Sequence, residues 1–392
     1  MDRVRLGIVG IGNMGSAHAK TVYNGKIDRL QLAAVCDREP TAGEWAAEHL
    51  PGIPFFTDST AMLDSGLIDA VLIATPHFSH PDIAVAAFER GLHVLTEKPA
   101  GVYTRQAERM CEAAESSGKV FGIMFNQRTN FLFRKAKEIV QSGGIGKPKR
   151  LLWNITNWYR TQRYYDSGDW RATWAGEGGG VLLNQAPHNL DIWQWLFGMP
   201  SRIRATCAYG KYHDIEVEDE VHIYAEYDNG ATADFITSTG ECPGSNRLEI
   251  IGDGGKMVIE GGLLRFWKLT VPEREFCFSH EKATGCPETE YREFRQEGTE
   301  PAHRAILQNF TNAILQKEPL LVPGQEGLKS LAISNAAYLS DWSDGWVELP
   351  LDGDEFYRLL AQRMAASRFQ ETSWPSSGYR NGTYSERWHV RW

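Results

Sequence analysis

The sequence predicts an α/β Rossmann domain followed by an α+β domain with a large, mostly antiparallel open sheet. Two observations support the first domain: a glycine-rich turn between an N-terminal strand and a helix, and regular alternation of strands and helices up to residue 127. Beyond that point strand follows strand with few helices between them. A length of 392 residues fits two domains. We expect boundaries at 1–127 and 128–367, with an arm at 368–392.

The composition excludes several classes of partner. The chain carries 41 basic and 50 acidic residues, a net charge of −9, with no basic cluster, so we expect no nucleic-acid or anionic membrane surface. No apolar run approaches the ~20 residues of a membrane span, and no signal peptide is recognisable. The six cysteines form no CxxC pair, and we expect no metal site and a cytoplasmic protein.

The glycine-rich turn lies in RLGIVGIGNMGSAHAKTVY, where Gly10, Gly12 and Gly15 follow an apolar strand and open a helix. Such glycines permit a tight turn and close approach to a pyrophosphate at the helix N-terminus. The next strand, LQLAAVCD, ends in Asp37, which is placed to accept both hydroxyls of an adenosine ribose. This pattern predicts NAD as cofactor. NADP remains open because Arg38 follows directly and could accommodate a 2′-phosphate.

Further polar residues lie at or just beyond the ends of predicted parallel strands, where ligands of such sheets bind. The predicted strand IDAVLIAT ends at Thr75. The next strand segment, GLHVLTEKPA, carries the polar pair Glu97 and Lys98 near its end. We therefore assign the remaining cofactor contacts to residues near the glycine turn or near these strand ends: Asn13, Met14, Pro76, His80, Glu97, Lys98 and Gln127.

The segment GGGVLLNQAPHNLD places an amide, an imidazole and a carboxylate close together. Asn184, His188 and Asp191 are spaced four and three residues apart, which stacks them on one face of a helix. Imidazole suits proton transfer near neutral pH. We expect these three to be catalytic, with Asn184 and His188 also binding substrate. The alternatives for Asp191 are a hydrogen bond to a sugar hydroxyl or to a buried neighbour, and the alternative for Asn184 is helix capping. Pro187 fits either a first helical turn or a kink.

A long segment, NWYRTQRYYDSGDWRATWAGEGGG, is unusually aromatic and polar. Flat rings cover the C–H faces of a sugar, while arginine and acidic groups bind hydroxyls. The segment therefore predicts contacts to a carbohydrate or cyclitol; the alternative is packing at a subunit interface. The expected substrate contacts are Tyr159, Arg160, Arg163, Trp170 and Trp174, together with Lys98.

The second domain shows strand candidates separated by hairpin turns such as YDNGA and GDGGK. A sheet of this kind, covered by helices on one face, leaves its other face to a partner. We expect a homodimer or homotetramer through that face. The tail ETSWPSSGYRNGTYSERWHVRW holds three Trp and two Tyr, so we expect an arm docked on its own subunit or a neighbour.

The glycine motif together with Thr75-Pro76 and Glu97-Lys98-Pro99 resembles the Gfo/Idh/MocA oxidoreductases. The resemblance continues through GGGVLLNQAPHNLDIWQWLFG and HRAILQNFTNAILQKEPLLVPGQEGLKSLAISNAAYLS, over roughly residues 4–345. It implies that Lys98 sits beside the nicotinamide ribose and the substrate hydroxyl, with His188 and Asp191 in the site. Where the family carries an aspartate, this chain has Asn184, which cannot relay a proton.

The resulting prediction is an NAD-dependent dehydrogenase acting on a secondary hydroxyl of a sugar, glycoside or inositol. His188 would be the base, and Lys98 would stabilise the alkoxide. One alternative retains NAD tightly and uses transient oxidation for epimerisation or glycoside cleavage. Another alternative is a non-catalytic, NAD-dependent sensor protein.

Overall fold

The first of two sheets carries the predicted nucleotide-binding half. The structure, a computed structural model, describes residues 2–296 and 301–368. Six strands form this sheet: β1 (Val4–Val9), β2 (Leu30–Cys36), β3 (Phe55–Phe56), β4 (Ala70–Ile73), β5 (His93–Thr96) and β6 (Phe121–Ile123). Their order is β3-β2-β1-β4-β5-β6, and all pairs are parallel. The predicted Rossmann arrangement is confirmed.

Helices connect these strands, as a parallel sheet requires. They are α1 (Asn13–Tyr23), α2 (Pro40–His49), α3 (Ser59–Leu63), α4 (Ser79–Glu89) and α5 (Thr104–Ser117). All four residues of β4 are buried, since a central parallel strand is covered on both faces. The strand order reverses between β1 and β4, so the crevice for a ligand opens at their carboxyl ends.

The second sheet has nine strands, and every pair except one is antiparallel, as predicted. They are β7 (Pro148–Ile155), β8 (Arg202–Tyr209), β9 (Glu218–Glu226), β10 (Thr232–Ser238), β11 (Asn246–Gly252), β12 (Gly255–Glu260), β13 (Leu263–Leu269), β14 (Thr289–Arg295) and β15 (Val347–Glu348). The order is β14-β13-β12-β11-β7-β10-β9-β8-β15, with β7 and β10 parallel. The sequence analysis did not include β13, β14 and β15.

One face of this sheet is apolar and covered. Along β8 and β9, the buried positions alternate with half-buried or exposed ones. The covering helices include α6 (Phe131–Gln141), α8 (Pro187–Phe197) and α11 (Glu326–Ser343). The opposite face carries charged pairs such as Arg202–Glu226. Assembly through this face stays a prediction.

Four further helices complete the described chain: α7 (Gln162–Tyr165), α9 (Glu273–Ser279), α10 (Ala302–Gln316) and α12 (Gly353–Ala365). The chain returns to the first sheet late, because α10 contacts β1 and Pro323 bridges to Gly122 of β6. The position of the domain boundary stays a prediction. The predicted aromatic arm lies, apart from residue 368, outside the described residues.

Candidate active site

The glycine turn between β1 and α1 has the shape that a bound pyrophosphate requires. Gly10 has a φ of +83°, and a Cβ there would lie 2.6 Å from the carbonyl oxygen of Ala74. A Cβ on Gly15 would collide with the carbonyl of Gly10. At Gly12, by contrast, a Cβ would meet no atom within 4 Å, so this glycine borders open space at the start of α1. These features fit an NAD pyrophosphate.

Asp37 follows β2 and supports the same turn. Its Oδ2 accepts a 2.9 Å hydrogen bond from the backbone N–H of Ile11, and its Oδ1 accepts one of 3.0 Å from the N–H of Glu39. The side chain remains half-buried, so the carboxylate is accessible to ribose hydroxyls. Arg38 is exposed, with its Nε 3.4 Å from the Glu39 carboxylate.

The other predicted cofactor residues divide into two groups. Asn13, Met14, Thr75 and Pro76 are half-buried around the crevice. His80 is different: it is only 1 % exposed, and its two ring nitrogens lie 2.9 Å from the Pro99 carbonyl and 2.7 Å from that of Thr75. A neutral imidazole has one N–H, so His80 donates to one of these two carbonyls, and its contact with a cofactor stays a prediction.

Gln127 follows β6 and is 2 % exposed. Its Oε1 is buried without a hydrogen-bond partner among the described residues. A buried amide oxygen without a donor is costly. Gln127 therefore keeps its predicted place among the residues that can receive a donor from a bound molecule.

Lys98 lies two residues beyond β5 and is half-buried. Its Nζ donates a 2.8 Å hydrogen bond to the backbone carbonyl of Asn184. Burial lowers the pKa of Lys98, and the charges of Glu97 and Glu177 oppose that shift. The ammonium is therefore held at the carboxyl edge of the parallel sheet, in contact with the segment before α8.

Glu97, the neighbour of Lys98, is turned to the protein interior. Its Oε1 lies 2.7 Å from Nε2 of His18, and its Oε2 accepts a hydrogen bond of 3.2 Å from the Lys98 backbone N–H. Burial alone would raise the pKa of Glu97, but the hydrogen bond and charge of His18 lower it to about 2. Glu97 is therefore a buried anion that helps to fix the backbone at Lys98.

His188 is the second residue of α8 and is 9 % exposed. Its ring packs edge-on against Phe125, with centroids 5.9 Å apart. Burial holds the pKa of His188 well below its ordinary value, and the nearby charge of Lys98 lowers it further. The imidazole is therefore neutral near pH 7, the form that accepts a proton.

Two side chains that the sequence analysis did not select hold Asn184 in place. The Nδ2 of Asn184 donates to the Glu177 carboxylate, and its Oδ1 accepts a 3.3 Å hydrogen bond from the Tyr164 hydroxyl. Burial raises the pKa of Glu177, which is 2 % exposed. The only sequence signal for Glu177 was a single acid within AGEGGG.

The prediction that Asn184, His188 and Asp191 share one helix face is wrong. The helix begins at Pro187, so Asn184 lies in the preceding turns. Asp191 points to Arg128, with hydrogen bonds of 2.6 and 2.8 Å, and its side chain has no exposed surface. A carboxylate enclosed in this ion pair neither orients His188 nor meets a substrate.

The aromatic segment contributes to the site only in part. Trp174 is buried, with its ring centroid 5.6–5.9 Å from those of Tyr209, Tyr338 and Trp342, so its predicted contact with substrate is corrected to a packing role. The other four predicted substrate contacts of this segment have accessible side-chain surface. Tyr159 and Arg163 are exposed, and Arg160 and Trp170 are half-buried.

Within the described part of the chain, no group of three or more His, Cys, Asp or Glu side chains is arranged to hold a metal ion. No helix of residues 2–296 or 301–368 combines the length and apolarity needed to cross a bilayer.

The glycine turn, Asp37 and the parallel sheet define an oxidoreductase with an NAD-binding Rossmann fold. Residues 4–125 match the oxidoreductase family with that fold, and residues 133–258 match the GFO/IDH/MocA C-terminal domain. The chain belongs to the GFO/IDH/MocA family of oxidoreductases, whose N-terminal domain is an NAD-binding Rossmann fold.

Several characterised proteins are similar along most of the chain. The scyllo-inositol 2-dehydrogenase (NAD(+)) of Bacillus subtilis is 27% identical over 279 residues, covering 69% of this chain and 77% of that protein. The D-glucoside 3-dehydrogenase of Escherichia coli is 24% identical, covering 88% and 97%. The WlbA dehydrogenase of Chromobacterium violaceum, solved with NADH and UDP-GlcNAcA, is 28% identical with a TM-score of 0.77, covering 90% and 97%.

Proposed function

We propose that this dehydrogenase oxidises a secondary hydroxyl of a sugar, glycoside or cyclitol. The observation that carries the proposal is the position of Lys98: it lies two residues beyond β5, at the carboxyl edge of the NAD-binding sheet, and its Nζ bonds the Asn184 carbonyl, four residues before the buried His188. A fixed cation beside a neutral base is what removal of an alcohol proton requires. The named substrates of the inositol and glucoside dehydrogenases support this class.

In the proposed reaction, bound NAD supplies an acceptor for the hydride that leaves the carbinol carbon. His188 takes the hydroxyl proton as the C–O bond becomes a carbonyl. The Lys98 ammonium stabilises the negative charge that develops on that oxygen. Charge and atoms balance: one hydride goes to the cofactor and one proton goes to the imidazole.

Asn184 and Glu177 act as positioning residues. The Asn184 carbonyl receives one of the three Lys98 N–H donors, and Glu177 fixes the Asn184 side chain. The ammonium is thereby held in one orientation, with its remaining donors available to a hydroxyl. Orientation of this kind keeps a reacting group in a productive geometry.

The experiment that tests the proposal is a panel of sugars, methyl glycosides and inositols with NAD, followed by NADH formation. At least one compound should give NADH and a ketone in equal amounts. Product formed without net NADH would favour transient oxidation by retained NAD. NAD binding without conversion of any compound would contradict a dehydrogenase of this substrate class.

A further inference from the structure

Two arginines beside the proposed site, Arg160 and Arg171, form no ion pair with any residue that the structure describes. The guanidinium carbons of Arg160 and Arg171 lie 5.1 and 4.7 Å from the ring centroid of Tyr164. Neither guanidinium has a carboxylate within ion-pair distance in the part of the chain that the structure describes. The buried Arg128, in contrast, is paired with Asp191 at 2.6 Å.

Among the described residues, only the Nη1 groups of these two side chains have hydrogen-bond acceptors. Arg160 donates through Nη1 to the backbone carbonyls of Trp158 and Tyr159, at 3.1 and 2.9 Å. Arg171 donates through Nη1 to the Tyr164 hydroxyl, at 3.0 Å. The Nε and Nη2 groups of both have no hydrogen-bond acceptor among the described residues, although both side chains are half-buried. These N–H groups form the forked edge that binds an oxyanion with two parallel hydrogen bonds.

The two guanidinium groups are close to Lys98. The Tyr164 hydroxyl contacts both Arg171 and the Asn184 amide, and the Asn184 carbonyl contacts the lysine. The charges of Arg171 and Arg160 are both among the causes that lower the pKa of Lys98. Both arginines lie about 5 Å from one ring, so their guanidinium carbons are no more than about 10 Å apart.

Three cationic side chains, Lys98, Arg160 and Arg171, lie around the site, whereas the two nearby carboxylates are bonded elsewhere. Glu177 is within electrostatic reach of Arg171 and Lys98, but its oxygens are bonded to the Asn184 amide and the Ala172 N–H. Glu97 is bonded to His18, on the other side of the lysine backbone. Cations held this close repel one another, and a bound anion relieves the repulsion.

We propose that the substrate carries an anionic substituent, a carboxylate or a phosphate, which Arg160 and Arg171 bind while Lys98 and His188 act on a hydroxyl. This inference rests on the proposed function, and it narrows the substrate class to sugar acids or sugar phosphates. The bound nucleotide sugar of the WlbA dehydrogenase is in keeping with an anionic substrate, although the inference depends on the arginines alone.

The direct test compares sugars that differ only in this substituent. Methyl glucuronide is assayed against methyl glucoside for a carboxylate, and glucose 6-phosphate against glucose for a phosphate. The anionic member of at least one pair should have a kcat/KM about 10- to 100-fold higher, mainly through KM, because charge-assisted hydrogen bonds are worth this much. The advantage should shrink as salt is added. Equal or better use of both neutral sugars would overturn the inference and leave the proposed function standing.

Variants assign the effect to the two side chains. Arg160→Gln and Arg171→Gln should each reduce the anionic-to-neutral ratio of kcat/KM about 10-fold, and Arg171→Lys should give an intermediate ratio because it keeps the charge without the fork. The matched control is Arg109→Gln, which removes one exposed charge from α5. A ratio that is unchanged in both glutamine variants, or reduced equally in the control, would overturn the assignment.

A binding measurement separates failure of the inference from failure of the proposed function. Calorimetric titration of the NADH-loaded protein with the same compounds needs no turnover. Tighter binding of the anionic sugars without NADH formation in the assay would support the anion site and contradict the dehydrogenase reaction. Absence of any binding preference would contradict the anion site.

Discussion

The ammonium of Lys98 donates a 2.8 Å hydrogen bond to the backbone carbonyl of Asn184, 86 residues further along the chain. This bond joins the carboxyl edge of the parallel sheet to the turns before α8. The proposed alkoxide-stabilising group therefore depends for its orientation on a segment that precedes the proposed base, His188.

Removal of the Lys98 charge should abolish most of the chemistry. We expect Lys98→Met to lower kcat about 10²- to 10⁴-fold, since an electrostatic or acid–base group contributes that much. NADH binding, measured by fluorescence titration, should change little. A control is Lys119→Met, a lysine after α5. Near-normal turnover in Lys98→Met would place the lysine outside the reaction.

The pH dependence should report the protonation of the two proposed catalytic groups, Lys98 and His188. Burial and the charge of Lys98 hold the pKa of His188 well below its ordinary value, so loss of kcat/KM on the acid side should begin below about pH 6.5. Burial lowers the pKa of Lys98, so the loss on the alkaline side should be centred below about pH 10.4.

Profiles of two variants distinguish these groups. Lys98→Arg keeps a charge at every accessible pH, so its alkaline limb should move to higher pH. His188→Ala should lower kcat about 10²- to 10⁴-fold while NADH binding persists. An acid limb centred at the ordinary histidine pKa in the wild type would contradict the assignment of His188 as a buried neutral base.

The hydrogen bond from the Asn184 amide to the Glu177 carboxylate can be tested by first removing the donor and then exchanging donor and acceptor between the two residues. Asn184→Asp would set two carboxylates against each other, so one must bind a proton. We expect kcat/KM to fall about 10- to 100-fold, with the larger loss at higher pH. The double variant Glu177→Gln/Asn184→Asp restores a donor and an acceptor, and it should recover much of the activity. An equal loss in both variants would contradict a positioning role for this pair.

NAD should be preferred over NADP because Asp37 would repel a 2′-phosphate. We expect kcat/KM for NAD to be at least about 10-fold higher, and Asp37→Ser to reduce this ratio. Glu39→Gln serves as the control, because it removes a neighbouring charge that pairs with Arg38. Equal use of both cofactors by the wild type would remove the assignment of Asp37.

Asp191 should matter for stability rather than for the reaction. Asp191→Asn removes one of the two carboxylates that pair with the buried Arg128 among the described residues and leaves Glu326 at 2.7 Å, so we expect it to lower the free energy of unfolding by up to about 3–5 kcal/mol. Asp344→Asn breaks an exposed pair with Arg204 and should cost at most about 1 kcal/mol. Urea unfolding measures both. A large loss of kcat in Asp191→Asn at unchanged stability would contradict the structural role.

The sequence determined the nucleotide-binding half of this protein. Gly10, Gly15 and Asp37 are placed by a strand, a turn and a helix that follow one another directly, so local spacing was sufficient to find them. Lys98 was predicted as a site residue from the family resemblance and from its place after a buried strand, at the edge where all strands of a parallel sheet end. The antiparallel second sheet was also predictable, since its hairpins carry their own turn residues.

Only the tertiary structure decided which groups meet between the two sheets. Spacing and the family resemblance both grouped Asp191 with His188, and both residues lie in α8, but long-range packing pairs the Asp191 carboxylate with Arg128. The Asn184 carbonyl contacts Lys98, and Glu177 contacts the Asn184 side chain, through a long segment whose path depends on non-local contacts. Because a loop lacks the periodicity of helices and strands, its side chains receive their directions from the packed neighbours.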